Sequence, residues 1–285
     1  MTGVLNIDKP KGMTSSDVVV KVRKLLGTKA IGHFGTLDPM GEGVLLMGVG
    51  KATRLFDLML EKDKVYEAEF IFGLETDTLD TDGNILSSDG KVPALDEIIS
   101  VLPQYIGTQM QMPPAYSAKS INGKRAYELA REGKSVDLRP CEIEIFGLDA
   151  AATEAENRFK ITLHCSSGTY VRSFGRDLAA KLGTVAAMSS IRRTRCGRFS
   201  SEDSVSLKKL EKLKEKALIP VDKALDFLPR VDIDESLYKD ICNGFKPESR
   251  GVKYDKFLLY CKGELFGIAK INSADRMEIT SYLKE

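Results

Sequence analysis

The stretch Gly32-His33-Phe34-Gly35-Thr36-Leu37-Asp38-Pro39-Met40-Gly41-Glu42-Gly43-Val44-Leu45-Leu46-Met47-Gly48-Val49-Gly50 sets a single acid, Asp38, among glycines at 32, 35, 41 and 43. Glycine permits close backbone approach and conformations closed to other residues. Pro39 disfavours helix at Asp38 and holds it extended or turning. The apolar run 44–49 that follows reads as a buried strand, so the acid sits on a short rigid loop in front of it. A catalytic carboxylate is presented in this way, and so is a plain Asp-Pro turn. The rest of the chain has to decide between them.

The glycines first suggest a phosphate loop at 48–53. That motif needs a glycine where Leu45 stands and Ser or Thr directly after Lys51, where the chain has Ala52. There is no Gly-x-Ser-x-Gly elbow, and no Gly-x-Gly-x-x-Gly fingerprint falls in a strand–helix setting. The two histidines, His33 and His164, cannot build a His-rich metal site, and five widely spaced cysteines contain no Cys-x-x-Cys pair. Reduced thiols in a cytosol are expected, without metal, cofactor, signal peptide or membrane span.

The 285 residues allow a sizeable core and two domains, and the net charge is +1. That balance masks segregation. Residues 1–64 hold 10 Lys/Arg against 7 Asp/Glu, residues 65–104 hold 1 against 9, and residues 105–200 hold 15 against 9. Two basic segments flanking an acidic block are compatible with a polyanion-binding face, and equally with solvated helices.

Along the chain, a strand near 3–7 precedes a helix capped by Ser15 or Ser16, with Val18, Val19, Val22 and Leu25 at helical spacing and Gly27 as the stop. A helix is expected over 54–61. Residues 64–73 alternate, with Tyr66, Ala68, Phe70 and Phe72 on one face. The acidic turn 76–83 fails the EF-hand spacing and reads as a solvated loop. A helix over 94–102, a strand over 104–112, a short helix over 126–132 and strands over 141–148 and 159–165 follow. A turn capped by Thr169 leads into a helix over 170–182 with Arg172 in its first turn. A strand runs from 184 into four arginines at 192, 193, 195 and 198, and a charged helix covers 208–216. A boundary is expected at 220–229. Beyond it lie a short helix over 235–242 and three strands over 257–261, 265–271 and 277–282.

Asp38, Tyr66 and Arg172 are the candidate constellation. An arginine beside a carboxylate favours its ionised form, and an aromatic can stack on a planar base. Taken singly, Tyr66 also reads as sheet core and Arg172 as a surface ion pair.

Gly32-His33-x-Gly35-Thr36-Leu37-Asp38-Pro39 with Gly43-Val44-Leu45 behind it resembles the catalytic motif of the TruB family, bacterial tRNA pseudouridine synthases acting at position 55. Lys9-Pro10-x-Gly12-x-Thr14-Ser15, Lys64-x-Tyr66, Pro113-Pro114-x-Tyr116-Ser117-Ala118, Gly123-Lys124-Arg125-x-Tyr127 and Gly168-Thr169-Tyr170-Val171-Arg172 also fit, in the family's order. Phe34 and Gly41 depart from the Thr/Ala and Ala common there, and Ser120 from a common lysine.

The resemblance implies an α+β pseudouridine-synthase catalytic domain over 1–229, with a mixed or antiparallel sheet flanked by helices and an RNA-clamping insertion near 109–139. A small PUA-like, RNA-binding β module would fill 230–285. It further implies that Asp38 is the essential carboxylate and Arg172 its partner. Tyr66 would stack on the uracil, Tyr170 and Leu37 would line the pocket, and His33 would wedge into the T-loop. Lys9, Lys64, Lys119, Lys124, Arg125, Arg192 and Arg193 would contact RNA. The implied partner is the tRNA T-arm, with no guide RNA and no membrane; a cytoplasmic monomer without cofactor is expected, with tRNA-folding activity besides catalysis. The rival classes are a non-catalytic RNA chaperone and a guide-RNA-dependent relative. The tail is too short for a larger RNA-anchoring domain and favours the stand-alone form.

Overall fold

In the computed structural model, residues 1–60, 62–116 and 138–284 are described, together with the strand backbone at Ser120–Ile121 and Lys124–Arg125. A ten-stranded mixed sheet forms the body. Its strands are β1 (Gly3–Lys9), β2 (Ile31–His33), β3 (Glu42–Val49), β4 (Lys64–Phe72), β5 (Gly107–Gln111), β6 (Cys141–Ala152), β7 (Arg158–Cys165), β8 (Ala186–Cys196), β9 (Phe199–Ser200) and β10 (Val205–Ser206). They lie in the order β10-β1-β3-β8-β4-β7-β6-β5, with β2 beside β3 and β9 beside β8. Only β1/β10 and β3/β8 pair parallel.

The centre follows from β4, whose buried and half-buried residues alternate strictly along the strand. Lys64, Tyr66, Ala68, Phe70 and Phe72 point to one face. Register places Leu163 and Arg193 opposite Tyr66, and Ile161 and Ile191 opposite Ala68. Helix α3 (Val171–Lys181; α1 and α2 are Ser15–Leu26 and Leu95–Val101) packs onto this face, burying Val171, Phe174 and Leu178. Gly175 allows the close approach, because a Cβ there would lie 2.0 Å from the Phe70 ring.

Strand β3 is buried from Gly43 to Val49. Leu45, Met47 and Val49 meet α1 through Val18, Val22 and Leu26, while Val44 and Leu46 join Phe34 in a second cluster. The valines of α1 are poor helix formers, so packing of that apolar face sustains the helix. Its cap is Thr14 rather than Ser15 or Ser16. The Thr14 hydroxyl accepts from Asp17 N at 3.0 Å and the Asp17 carboxylate from Thr14 N at 2.9 Å, a capping box. Gly27 closes the helix at φ 66°.

A second, four-stranded sheet comprises β11 (Arg230–Ile233), β12 (Phe257–Cys261), β13 (Glu264–Ile271) and β14 (Met277–Tyr282). The first of these is not anticipated from sequence, because its four residues alternate but are too short a run to mark a strand. Leu258, Tyr260, Ile268 and Leu283 share the cluster of Val4, Phe34, Val44 and Leu46. Arg54 Nη1 donates to Tyr282 O at 2.7 Å and Lys51 Nζ to Lys284 O. Residues 220–229, where a boundary is expected, contain a helical turn, Val221–Ala224, whose Val221 and Ala224 side chains lie in that same cluster.

Candidate active site

The loop bearing Asp38 is held from three sides. Leu37 N donates to Ser15 Oγ at 2.9 Å and Ser15 Oγ donates to Leu37 O at 3.1 Å. Because Thr14 caps α1, Ser15 is available to clasp the loop. Lys9, wholly buried, donates from Nζ to Gly41 O at 2.5 Å, Pro10 O at 3.1 Å and Pro39 O at 3.3 Å. Arg193, 2% exposed, donates from Nε to Val44 O at 2.6 Å and from Nη2 to Gly35 O at 3.3 Å. Gly43 sits at φ 93° with its Cβ position 2.3 Å from Arg193 O, a place only glycine fills. Phe34 departs from the common pattern compatibly, since its ring packs where a Cβ on Gly48 would be 2.7 Å away.

On the opposite wall, α3 starts at Tyr170, fixed by Gln111. Tyr170 N donates to Gln111 Oε1 at 2.8 Å and Gln111 Nε2 donates to Tyr170 O at 3.1 Å. The expected Thr169 cap is not made; its hydroxyl donates to Ser166 O at 3.0 Å. Arg172, two residues into the helix, is buried. Its Nε lies 3.0 Å from Asp38 Oδ2 and its Nη1 3.2 Å from Asp80 Oδ2. Nη1 also donates to Thr78 O at 2.9 Å and Nη2 to Tyr116 O at 3.0 Å.

Asp80 corrects the solvated-loop reading of 76–83. It is 6% exposed, its Oδ1 accepts from Thr78 Oγ1 at 2.6 Å, and its carbonyl accepts from buried Thr76 at 2.7 Å. Burial pushes its carboxyl up from the usual range, while Thr78 and Arg172 pull it back. The sequence signal was present: an acidic turn with a hydroxyl on either side of Asp80 can close on itself.

Asp38 and Arg172 line two adjoining cavities. The smaller, of about 380 Å³, is also walled by Leu37, Lys64, Tyr66, Tyr170, Ile191 and Arg193. The larger, of about 750 Å³, is walled by Ser16, His33, Pro39, Asp80, Asn84 and Tyr116. Tyr66 is buried, and burial raises its phenol to about 12, so it stays neutral. One chamber therefore combines a carboxylate, a neutral aromatic and a fixed guanidinium, and opens beside a histidine-lined groove.

Three cations expected to contact RNA are buried. Lys9 and Arg193 hold the Asp38 loop. Lys64, 5% exposed, donates from Nζ to Leu60 O at 2.8 Å and to Lys62 O. Strand alternation explains the split at 192 and 193: Arg193 lies opposite Tyr66 and points inward, while Arg192 points outward to Asp8 at 3.0 Å. Lys119 and the side chains of Lys124 and Arg125 lie outside the described residues, as do most of the expected clamping insertion and the expected helix over 126–132.

Residues 23–171 match the TruB family pseudouridylate synthase N-terminal domain and residues 172–226 the tRNA pseudouridylate synthase B C-terminal domain. The chain belongs to the TruB family of pseudouridylate synthases. Among its relatives, the tRNA pseudouridine synthase B of Caldanaerobacter subterraneus subsp. tengcongensis is 43% identical over 85% of each chain. That of Thermosipho melanesiensis is 40% identical over 95% of this chain and 91% of its own. In structure the chain is similar to a component of an H/ACA RNP bound to a substrate RNA containing 2′-deoxyuridine. The TM-score is 0.74 and the identity 25%, with 99% of this chain and 85% of that one covered. A chain of a Cbf5-Nop10-Gar1 complex gives TM-score 0.71 and 28% identity, covering 98% and 79%. These likenesses agree with the α+β architecture described above.

Proposed function

We propose that this enzyme converts uridine at position 55, in the T-loop of tRNA, to pseudouridine, with Asp38 as the essential carboxylate. The observation that carries the reading is the Asp38–Arg172 pair, set at the mouth of a chamber that also holds Tyr66. Family membership supplies the reaction, and the names of the relatives supply tRNA as substrate.

The reaction breaks the N1–C1′ bond, turns the uracil, joins C5 to C1′, releases the C5 proton and returns a proton to N1. Nothing is oxidised or reduced. The uridine must first leave its stack, at a cost of a few kcal/mol. His33, in the larger cavity, wedges into the T-loop and offsets part of that cost. Tyr66 stacks on the base entering the smaller cavity, with Leu37 and Tyr170 along its walls. Arg172 fixes the orientation of Asp38, and Asp80 fixes Arg172. Asp38 acts on C1′, on the uracil ring or on the 2′ proton.

Arg192, Lys119, Lys124 and Arg125 contact the RNA backbone, the last three from the insertion near 109–139. Residues 1–229 form the catalytic unit and residues 230–285 a PUA-like RNA-binding module. The protein works in the cytoplasm as a monomer, without a guide RNA, and also promotes tRNA folding. The test is pseudouridine mapping on unmodified tRNA incubated with the purified protein alone. Product at the T-loop uridine is expected. Product only after addition of a guide RNA, or none, overturns the reading.

A further inference from the structure

The lining of the smaller cavity holds charge that none of the roles proposed above uses. Lys64 precedes Tyr66 by two residues on β4 and shares its face, and Arg193 is paired with Tyr66 across β8. Both line the chamber, and both are nearly inaccessible to water. A buried cation is costly unless an anion faces it. Among the described residues neither has a carboxylate within ion-pair distance. Lys64 is capped by the carbonyls of Leu60 and Lys62, and Arg193 by those of Val44 and Gly35. The carboxylate of the chamber, Asp38, is already bound to Arg172, which Asp80 holds from the other side. Cys165 and Cys196 flank Lys64 in register, and burial lifts the Cys165 thiol to about 11, so it brings no negative charge.

We propose that Lys64 and Arg193 form an anion-stabilising floor for the uracil released during the reaction, an inference that rests on the pseudouridine-synthase reading. When the N1–C1′ bond breaks heterolytically, its electron pair stays on N1 and the base becomes a uracil anion. C1′ is meanwhile satisfied by the Asp38 carboxylate or by loss of the 2′ proton to it. The negative charge then lies over Tyr66, between two fixed cations, where preoriented charge stabilises it without reorganisation. The anion is consumed when C5 bonds to C1′ and a proton reaches N1. Burial lowers the Lys64 ammonium below the usual lysine range; an anion beside it would reverse that.

The experiment compares tRNA carrying uridine with tRNA carrying 5-fluorouridine at the target position, under single turnover, reading loss of the N-linked nucleoside. Fluorine withdraws charge, so its base leaves more readily as an anion and depends less on the floor. Lys64→Met and Arg193→Met are expected to slow uridine by about tenfold or more and 5-fluorouridine much less, raising the fluoro-to-uridine rate ratio severalfold over wild type. Lys64→Arg and Arg193→Lys should keep the wild-type ratio. A purely structural role slows both substrates alike, and an unchanged ratio in the folded Met variants overturns the inference while leaving the pseudouridine reading intact. If wild type forms no pseudouridine, both fall. Should Arg193→Met fail to fold, the Lys64→Met and Lys64→Arg pair decides.

Discussion

Asp38 and Asp80, 42 positions apart in the chain, grip the same guanidinium: Arg172 Nε stands 3.0 Å from one carboxylate and Nη1 3.2 Å from the other. Asp80 thus acts on Asp38 through Arg172. Asp80→Asn keeps the shape and removes the charge that holds the guanidinium. We expect kcat to fall by about 10- to 100-fold while tRNA affinity stays within about twofold. An unchanged kcat would show that Arg172 needs no second anchor.

Lys9 should make its presence felt in alkali. Burial lowers its ammonium from 10.5 to about 8 in the folded chain. Between those values the unfolded chain keeps a proton that the folded chain has lost, so unfolding free energy rises with pH across the window. Urea melts of wild type and Lys9→Met, taken from pH 7 to 11, should show the wild-type advantage growing by on the order of 3 kcal/mol. At pH 7 the variant, with three carbonyls left without their donor, should still be less stable by about 1–3 kcal/mol. A pH-independent difference would mean that Lys9 titrates like a surface lysine.

Gly175→Ala puts a methyl group into the Phe70 ring. Overpacking of this kind costs about 1–3 kcal/mol. Here it also moves the helix that carries Arg172, so turnover should drop with the melting temperature. Full activity with lowered stability would separate the helix packing from the site.

Arg192 and Arg193 offer a contrast between neighbours. The Arg192–Asp8 pair is half exposed, and such pairs contribute about 0–1 kcal/mol. Arg192→Ala should leave stability almost untouched. It should weaken tRNA binding and lower the slope of log affinity against log salt by about 0.7–0.9, as for one phosphate contact. A slope equal to wild type would remove Arg192 from the RNA face.

Periodicity made much of this fold legible. The β4 alternation from Lys64 to Phe72, the apolar run of β3 and the glycine closing α1 are local patterns, and each became the expected element. What stayed hidden depends on partners distant in sequence. Nothing near Asp80 says that Arg172, on another element, will reach it. Nothing near Ser15 says that Thr14 will take the cap and leave its hydroxyl for Leu37. The burial of three basic residues stayed hidden for a related reason: composition cannot tell Lys9, Lys64 and Arg193 from surface charge, and only sheet pairing shows them turned inward. For Arg193 the period-2 rule applied to β8 would have sufficed; for Lys9 no short-range signal exists.

Whether the Asp38 carboxylate performs the chemistry is decided by Asp38→Asn acting on tRNA labelled with tritium at uridine C5. The substitution is nearly isosteric and Asp38 is only partly buried, so the fold and tRNA binding should survive. Because C5 gives up its hydrogen when it bonds to C1′, tritium release reports the completed isomerisation. Release is expected to be abolished in the variant with tRNA still bound; tritium released at the wild-type rate would show that the carboxylate is dispensable.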